Sequence, residues 1–299
     1  MKQLVVLSGK GGTGKTSVAA SLAHLASQES GVVMADADVD ASNLELLLSP
    51  TRMTEHTFVS GKLASVDQEA CIACGRCAEV CRFDAVLDDG ETYRIDPISC
   101  EGCAACFYEC PVEAVELHDR ESGQWFRSRT RFGMLFHAHL YAGQENSGKL
   151  VTMVKRQANL WGADHGADYI IVDGPPGIGC PVIAACAGAQ MALLVVEPTV
   201  AGAHDLERIL ATTQHFRVAA AVLVNKFDIN MQRTERIVEF CAANDVPVVG
   251  RVPFDVAVTE AMVQGVPITE ADDGQVSRAL VQVWHKVEEA LDGRERADI

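Results

Sequence analysis

The chain alternates short apolar runs with segments in which apolar residues recur at helical spacing. The runs lie at 2–7, 169–173, 191–198, 219–226 and 246–250, and one more, VVMADAD, follows Gly31. Runs of this length suit strands buried on both faces of a parallel sheet. A helical segment begins at Lys15, and its apolar residues share one face (Val18, Leu22, Leu25, Ala26). The pattern predicts an α/β fold, a mostly parallel sheet flanked by helices.

The sequence pattern changes between residues 61 and 118, where cysteines and predicted turns replace the long apolar runs. We therefore predict an inserted domain at 61–118 within a discontinuous domain formed by 1–60 and 119–299. The exit segment predicts a hairpin that turns at Ser122-Gly123. The last amphipathic segment, Val276 to Leu291, carries an acidic polar face, so we expect it to pack on the domain and not on a membrane.

A glycine-rich loop follows the first predicted strand and opens the first predicted helix. Its sequence fits G-x-x-x-x-G-K-S/T, a phosphate-binding loop (Gly9, Lys10, Gly11, Gly12, Thr13, Gly14, Lys15, Thr16). Glycines let successive N–H groups point at phosphate oxygens, and the helix N-terminus adds positive potential. We expect Lys15 to reach the β- and γ-phosphates and Thr16 to ligate Mg²⁺. Ser17 is assigned to the same nucleotide site.

Acidic residues follow two of the predicted strands. Asp36, Asp38 and Asp40 alternate after the second strand, so all three carboxylates can face one site, although a solvated acidic loop is the alternative. Asp173 ends the strand YIIVD and precedes Gly-Pro-Pro-Gly. An aspartate at that position lies beside the phosphates and can bind Mg²⁺ through water.

Eight of the eleven cysteines form two runs with identical C-x-x-C-x-x-C-x-x-x-C spacing. The spacing is that of bacterial two-cluster ferredoxins, in which the fourth cysteine of each run ligates the other cluster. Two [4Fe-4S] clusters are therefore predicted. The first takes Cys71, Cys74, Cys77 and Cys110, and the second takes Cys100, Cys103, Cys106 and Cys81. Zinc and disulfides are the alternatives. The tripled spacing argues against zinc, and the length and expected cytosolic location of the chain argue against disulfides. Arg82 stands where the pattern has proline, which leaves the turn geometry open.

The loop K-G-G-x-G-K-T resembles that of the MinD/ParA-like ATPases. The resemblance covers nearly the whole chain and implies that Lys10 reaches the nucleotide across a face-to-face dimer, either a homodimer or a heterodimer with a related ATPase. It implies catalytic roles for Lys10, Lys15 and Asp38, with Asp38 orienting the attacking water. Asp36 and Asp173 then belong to the two switch segments and to the Mg²⁺ site, whereas Asp40 falls where the family varies.

Base recognition is also implied by this resemblance. Asn225 resembles the family's adenine-reading asparagine, and Pro253 lies in its base-flanking segment, which gives ATP or ADP as the nucleotide. N-K-F-D at 225–228 also fits guanine-specific GTPases, so the base is less defined than the phosphates. For the insert, the resemblance implies a small α+β ferredoxin unit.

Other polar residues have no assigned role. Cys241 lies on an apolar helical face and is predicted to be core, whereas Cys180 is either a small buried residue or a redox-sensitive thiol. Cys180 and Cys186 are too far apart for a C-x-x-C pair. His137 and His139 alternate along the chain, but nothing in the sequence completes a metal site with them.

The formal net charge of −16 opposes binding to nucleic acid and to anionic membranes. With no signal peptide or membrane span recognised, we expect a cytoplasmic protein without stable membrane insertion. Three functions are compatible with the motifs. They are an ATPase switch coupled to electron transfer with a redox partner protein, a positioning or partner-loading ATPase with sensing or structural clusters, and a cluster-delivering maturation ATPase.

Overall fold

The computed structural model describes residues 1–144 and 147–295. The strands are β1 Lys2–Ser8, β2 Val32–Asp36, β3 Thr51–Val66, β4 Val86–Asp88, β5 Tyr93–Ile95, β6 Val115–Arg129, β7 Met134–Leu140, β8 Tyr169–Pro176, β9 Met191–Val196, β10 Ala219–Asn225 and β11 Val248–Val252. The helices are α1 Lys15–Ser27, α2 Leu44–Leu48, α3 Arg76–Val80, α4 Ala105–Glu109, α5 Ser147–Asp164, α6 Cys180–Cys186, α7 Val200–His215, α8 Met231–Ala243, α9 Val256–Val263, α10 Ile268–Ala271 and α11 Gln275–Glu295.

Nine strands form one sheet in the order β11-β10-β9-β1-β8-β2-β7-β6-β3. Each pairing from β11 across to β7 is parallel. β1 lies between β8 and β9, so the loop after β1 opens where the strand order reverses, which is where α/β sheets place their ligands. The predicted α/β fold with a mostly parallel sheet is confirmed.

The helix α11 packs on the sheet through the apolar face expected from the sequence. Val283 and Val287 are fully buried, and Trp284 packs edge-on against Tyr169, with ring centroids 5.2 Å apart. A Cβ on Gly250 of β11 would come within 2.3 Å of Val283 Cγ2, so glycine allows this close approach. None of the helices in the described ranges is long and apolar enough to cross a membrane.

The chain divides into two compact units. One comprises Met1–His56, Trp125–His139 and the described part of Ser147–Ile299, and it contains the parallel strands and the helices that cover them. The other comprises Thr57–Gln124 and the described part of Leu140–Asn146. The second unit contains α3, α4 and the antiparallel pair β4–β5.

The hairpin expected at Ser122-Gly123 is wrong, because β6 runs without interruption from Val115 to Arg129. The Ser122 hydroxyl is buried and donates to the carbonyl of Ser60 on β3, at 2.7 Å. The partner strand thus outweighs the turn preference of Ser-Gly. The chain turns instead at 130–133, where the Thr130 N–H donates to the Gly133 carbonyl at 2.9 Å.

Candidate functional site

The loop between β1 and α1 has the backbone that its glycines permit. Gly12 and Gly14 have φ values of +81° and +87°, a backbone conformation that residues other than glycine rarely adopt. A Cβ on Gly14 would come within 2.4 Å of Asn225 Nδ2, whereas a Cβ built on Gly11 or Gly12 would meet no described atom within 4 Å beyond its adjoining residues. The loop is therefore braced on its Asn225 side and open over Gly11 and Gly12.

Lys15 lies at the start of α1 with its side chain buried. Its Nζ donates to Asp173 Oδ1 at 2.8 Å and lies 3.6 Å from Asp38 Oδ2. Burial alone would lower the pKa of Lys15, but the carboxylates of Asp173 and Asp38 raise it above its ordinary value. The ammonium group is therefore charged and is neutralised within the protein by these two carboxylates.

Asp36 is fully buried at the end of β2 and is the register partner of Asp173 on β8. It accepts hydrogen bonds from Asp38 N at 3.1 Å, Ser42 Oγ at 2.7 Å and Leu44 N at 3.0 Å. Burial and the Asp173 carboxylate raise the pKa of Asp36 to about 7. Burial also raises the pKa of Asp38, against the opposing effect of Lys15.

The four charged residues Lys15, Asp36, Asp38 and Asp173 thus form one cluster beside the loop. Asp40 lies outside this cluster and is exposed. Thr16 and Ser17 are half-buried in the first turn of α1, and Ser17 Oγ lies 3.4 Å from Met262 Sδ.

Lys10 points away from the aspartates. Its Nζ lies 3.3 Å from Glu197 Oε2 and 3.4 Å from Thr199 Oγ1. Glu197 also binds Lys226, whose Nζ donates to the loop carbonyl of Gly12 at 3.2 Å. Glu197 therefore holds both lysines. Sequence reasoning missed it, although a glutamate directly after an apolar strand was the available signal.

The segments that contain Asn225 and Pro253, which the sequence assigns to the base, contact the loop and each other. Asn225 Nδ2 donates to the Thr13 carbonyl at 2.7 Å, and Oδ1 accepts from the Lys226 N–H at 3.0 Å. Asp228 Oδ1 accepts from the Phe254 N–H at 2.7 Å, which joins the N-K-F-D segment to the residues after β11. Pro253 is half-buried beside this contact.

In the second unit, the eight cysteines line two separate cavities. One is lined by Cys71, Cys74, Cys77 and Cys110. The other is lined by Cys81, Cys100, Cys103 and Cys106. Each cavity therefore takes three cysteines from one run and the fourth from the other. Burial and the neighbouring thiols raise the pKa of Cys77 and Cys106.

The two cysteine runs have the same backbone, offset by 29 positions in sequence. Positive φ occurs at three equivalent pairs, with values of 54° and 62° (Ala73, Gly102), 77° and 66° (Gly75, Ala104), and 51° and 55° (Asp84, Glu113). Cys81 and Cys110 have nearly equal φ/ψ, −75°/111° and −74°/114°. Arg82 in place of proline leaves this turn unchanged.

Comparisons with known proteins identify the fold and the family. The profile described as CobQ/CobB/MinD/ParA nucleotide binding domain matches residues 4–268. This chain belongs to that family. It is a MinD/ParA-type P-loop ATPase, and an uncharacterised protein of Methanocaldococcus jannaschii is 32% identical to it over 289 residues, 97% of each chain.

Two further likenesses concern the fold and the cysteine-rich segment. The Mg-ADP complex of the septum site-determining protein MinD from Pyrococcus horikoshii superposes with a TM-score of 0.61 at 16% identity, covering 97% of this ATPase and 96% of that chain. A "Ferredoxin 7Fe" of Hydrogenibacillus schlegelii is 37% identical over 65 residues, 21% of this chain and 83% of that ferredoxin.

The residues of the ATPase site fit a magnesium nucleotide. Among the described residues, the buried Asp173 Oδ2 and Thr13 Oγ1 have no hydrogen-bond partner. Unpaired buried oxygens are costly unless a ligand satisfies them, and oxygen is the donor that Mg²⁺ prefers. The site therefore offers oxygen atoms to a cation directly beside a loop open to phosphate.

The three other cysteines are single thiols. Cys241 is buried in α8, as predicted, and Cys186 is buried at the end of α6. Cys180 is exposed, so of its two alternatives the small buried residue is wrong. The reason is its place at the first turn of α6, directly after the Gly-rich segment that leaves β8.

Proposed function

We propose that this ATPase hydrolyses ATP in a nucleotide-dependent dimer and couples that switch to electron transfer through two [4Fe-4S] clusters. The clusters belong to a ferredoxin domain inserted at 61–118, between the ATPase segments 1–60 and 119–299. The observation that carries the proposal is the pair of cavities, each lined by three cysteines of one run and the fourth of the other.

The ATP site is formed by the loop and the charged cluster. The N–H groups of Gly9 to Thr16 and the Lys15 ammonium group hold the phosphates, with Ser17 in the same turn. Thr16, Asp36 and Asp173 supply oxygen ligands for Mg²⁺, which neutralises phosphate charge when bound. Asn225 and Pro253 border the adenine. This base assignment is supported by the Asp228 carboxylate, which is engaged by the Phe254 N–H.

Hydrolysis depends on two further residues. Asp38, one-seventh exposed, orients the attacking water, and its contact with Lys15 supports its place at the phosphates. Lys10 stabilises the charge of the transition state in the partner subunit, either a second copy or a related ATPase. Lys10 must first leave Glu197 and Thr199, so dimerisation exchanges an internal ion pair for one with nucleotide.

The cluster ligands are those named from the sequence: Cys71, Cys74, Cys77 and Cys110 for cluster one, and Cys81, Cys100, Cys103 and Cys106 for cluster two. Each cluster, when bound, accepts and releases one electron. Positive φ at Ala73 and Gly75, and again at Gly102 and Ala104, alternates with negative φ at the residue between them, a backbone pattern that suits an anionic ligand. A redox partner protein is required as donor or acceptor.

Chain connectivity provides a route between the nucleotide and the cysteines. Asp36 holds Leu44, the first residue of α2, and α2 leads directly into β3. β3 begins in the ATPase unit at Thr51 and ends in the cysteine-rich unit at Val66. A change at Asp36 on ATP binding can therefore move the start of the strand that carries on into the second unit.

A second candidate is a positioning or partner-loading ATPase in which the clusters stabilise the fold or sense the redox state. It is favoured by the likeness in fold to MinD across nearly the whole chain. The two candidates differ in one measurable property, because only the first requires nucleotide to change the redox behaviour of the clusters.

The test is an anaerobic redox titration by electron paramagnetic resonance, with and without Mg²⁺ and a nonhydrolysable ATP analogue. Coupling predicts that the analogue shifts a cluster potential or the spin coupling between the two clusters. The variant Lys15→Met is the matched control, since it keeps all eight cysteines and should abolish the nucleotide effect. Two clusters that ignore nucleotide in the wild-type protein would favour the positioning ATPase, and a protein without [4Fe-4S] signals would refute both cluster roles.

A further inference from the structure

A second polar cluster lies in the ATPase unit, around the buried His137. Glu45 of α2 faces two histidines that alternate along β7, His137 and His139. Glu45 Oε2 lies 3.2 Å from His137 Nδ1, and Glu45 Oε1 lies 3.2 Å from His139 Nε2. Glu45 supplies the third group that the sequence did not reveal, because it is 92 positions away from His137 in the chain.

His137 has one satisfied and one unsatisfied nitrogen. Nε2 lies 2.9 Å from Ser128 Oγ on β6, within hydrogen-bond distance. Nδ1 is buried and, among the described residues, has no hydrogen-bond partner, since Glu45 lies close but out of line. Burial, His139 and Arg52 lower the pKa of His137 to about 3, so the ring is neutral and one nitrogen carries a lone pair.

The tautomer of His137 decides whether a cation is needed between its ring and the Glu45 carboxylate. If Nε2–H donates to Ser128, Nδ1 carries an unshared lone pair 3.2 Å from a carboxylate oxygen, and a cation bound by both groups would remove their repulsion. This is the arrangement of metal-binding histidines, whose second nitrogen donates to a neighbouring acceptor and fixes the ring.

The distances also suit a small cation. Ligands at zinc–nitrogen and zinc–oxygen bond lengths of about 2.0–2.2 Å in a tetrahedron lie about 3.3–3.5 Å from one another. Glu45 makes its two 3.2 Å contacts through its two different oxygens, and one ligand atom from each of the three residues lies within 4.8 Å of the others. Two imidazoles and a carboxylate favour zinc and its first-row neighbours over Mg²⁺ and Ca²⁺, which prefer oxygen. We propose that Glu45, His137 and His139 bind a divalent transition-metal ion of this class, for which Zn²⁺ is the probe.

Access and charge are compatible with this site. His139 has a side chain 37% exposed, so an ion can enter beside it and keep a fourth position for water. Arg52 is the cation that competes for Glu45, because its Nη2 lies 4.0 Å from Glu45 Oε2. Its guanidinium group also lies 4.2 Å from the ring centroid of Phe126. Its side chain is half-exposed, which weakens that competition.

The ion would fix α2 to β7. Leu44, the neighbour of Glu45, is held by Asp36 through its N–H. Metal binding therefore restrains the segment that follows the aspartates of the nucleotide site, independently of the cysteine clusters.

The experiment compares zinc content in four full-length proteins: wild type, Glu45→Gln, His139→Gln and the control His118→Gln. The control also removes a histidine beside a carboxylate, since His118 Nε2 lies 3.4 Å from Glu116, but on the exposed part of β6. All four proteins retain the eleven cysteines, so any zinc bound by thiolates is the same in each and does not affect the comparison. After EDTA treatment and anaerobic dialysis against buffered Zn²⁺, wild type and His118→Gln should hold one more zinc per chain than the other two.

Equal zinc in all four proteins would overturn the proposal. A second readout uses Co²⁺ on the wild-type protein and on His139→Gln. The difference spectrum should contain the ligand-field bands of nitrogen and oxygen coordination, and a difference made of thiolate charge-transfer bands would also overturn the proposal. To separate metal binding from a loss of stability in the variants, the melting temperature of each protein is compared in EDTA and in Zn²⁺. Zinc should raise the melting temperature of wild type and His118→Gln only.

Discussion

Lys15 pairs with both Asp173 and Asp38, and replacing it by methionine removes both ion pairs. The attraction between unit charges at 2.8 Å is about 6 kcal/mol at an effective dielectric constant of about 20. Much of it offsets the desolvation of the pair, and breaking a buried pair by removing one partner costs about 3–5 kcal/mol. We expect the nucleotide-free, Mg²⁺-free variant to lose about that much stability at pH 8.

The loss should depend on pH in a defined direction. The pKa of Asp36 is about 7 and that of Asp38 is raised, and Lys15 lowers both. Without Lys15 these values rise further, so the folded variant binds more protons than the unfolded chain between the ordinary aspartate pKa and the raised one. Its stability therefore falls as pH rises through that window, and the deficit against wild type should be smaller at pH 5.5 than at pH 8.

Urea unfolding followed by tryptophan fluorescence measures this effect, because Trp125, Trp161 and Trp284 all lie in the ATPase unit. Lys10→Met is the matched control. Its ion pair with Glu197 is one-third exposed on the lysine side, and we expect it to lose less than about 1 kcal/mol. A variant Lys15→Met as stable as wild type at pH 8, or a deficit that does not change with pH, would refute the reasoning.

Three other predictions concern single contacts. Glu197→Gln releases Lys10 and Lys226, so amine-selective labelling detected by mass spectrometry should modify Lys10 faster than in wild type, and an equal rate would disprove the restraint. Gly102→Ala places a Cβ 2.1 Å from the Lys62 carbonyl and should lower the bound iron per chain, whereas Gly90→Ala, at φ +95° in open space, should not. Trp284→Ala should destabilise the ATPase unit by about 3–5 kcal/mol in urea unfolding, because Trp284 is 5% exposed.

Local patterns predicted most of the ATPase unit. The parallel strands, the loop at 9–16 and α11 follow from signals within a few residues of one another, and the structure agrees on each. The hairpin at Ser122-Gly123 failed because a turn preference is weak when a long partner strand is present, and Ser60 on β3 lies 62 positions away.

Contacts between distant segments were beyond the sequence. Nothing near His137 in the chain indicates Glu45, and nothing near Lys10 indicates Glu197, since each pair is brought together by the sheet order. Asn225 was expected at the base, and the structure adds that its amide holds the Thr13 carbonyl. The spacing of the cysteines, in contrast, specified which four of them would line each cavity.

The charge of the nucleotide site constrains how ATP can bind. Lys15 stands against three aspartates, Asp36, Asp38 and Asp173, so the cluster is negative whether or not Asp36 holds a proton. The triphosphate alone would bring further negative charge next to Asp173 Oδ2, which is buried and unpaired within the described residues. Lys15 carries one positive charge, which already stands against Asp173 and Asp38, so it cannot also balance the charge of the phosphates. A divalent cation must therefore enter with the nucleotide, and ATP affinity should fall far more on removal of Mg²⁺ than it would at a site with one carboxylate.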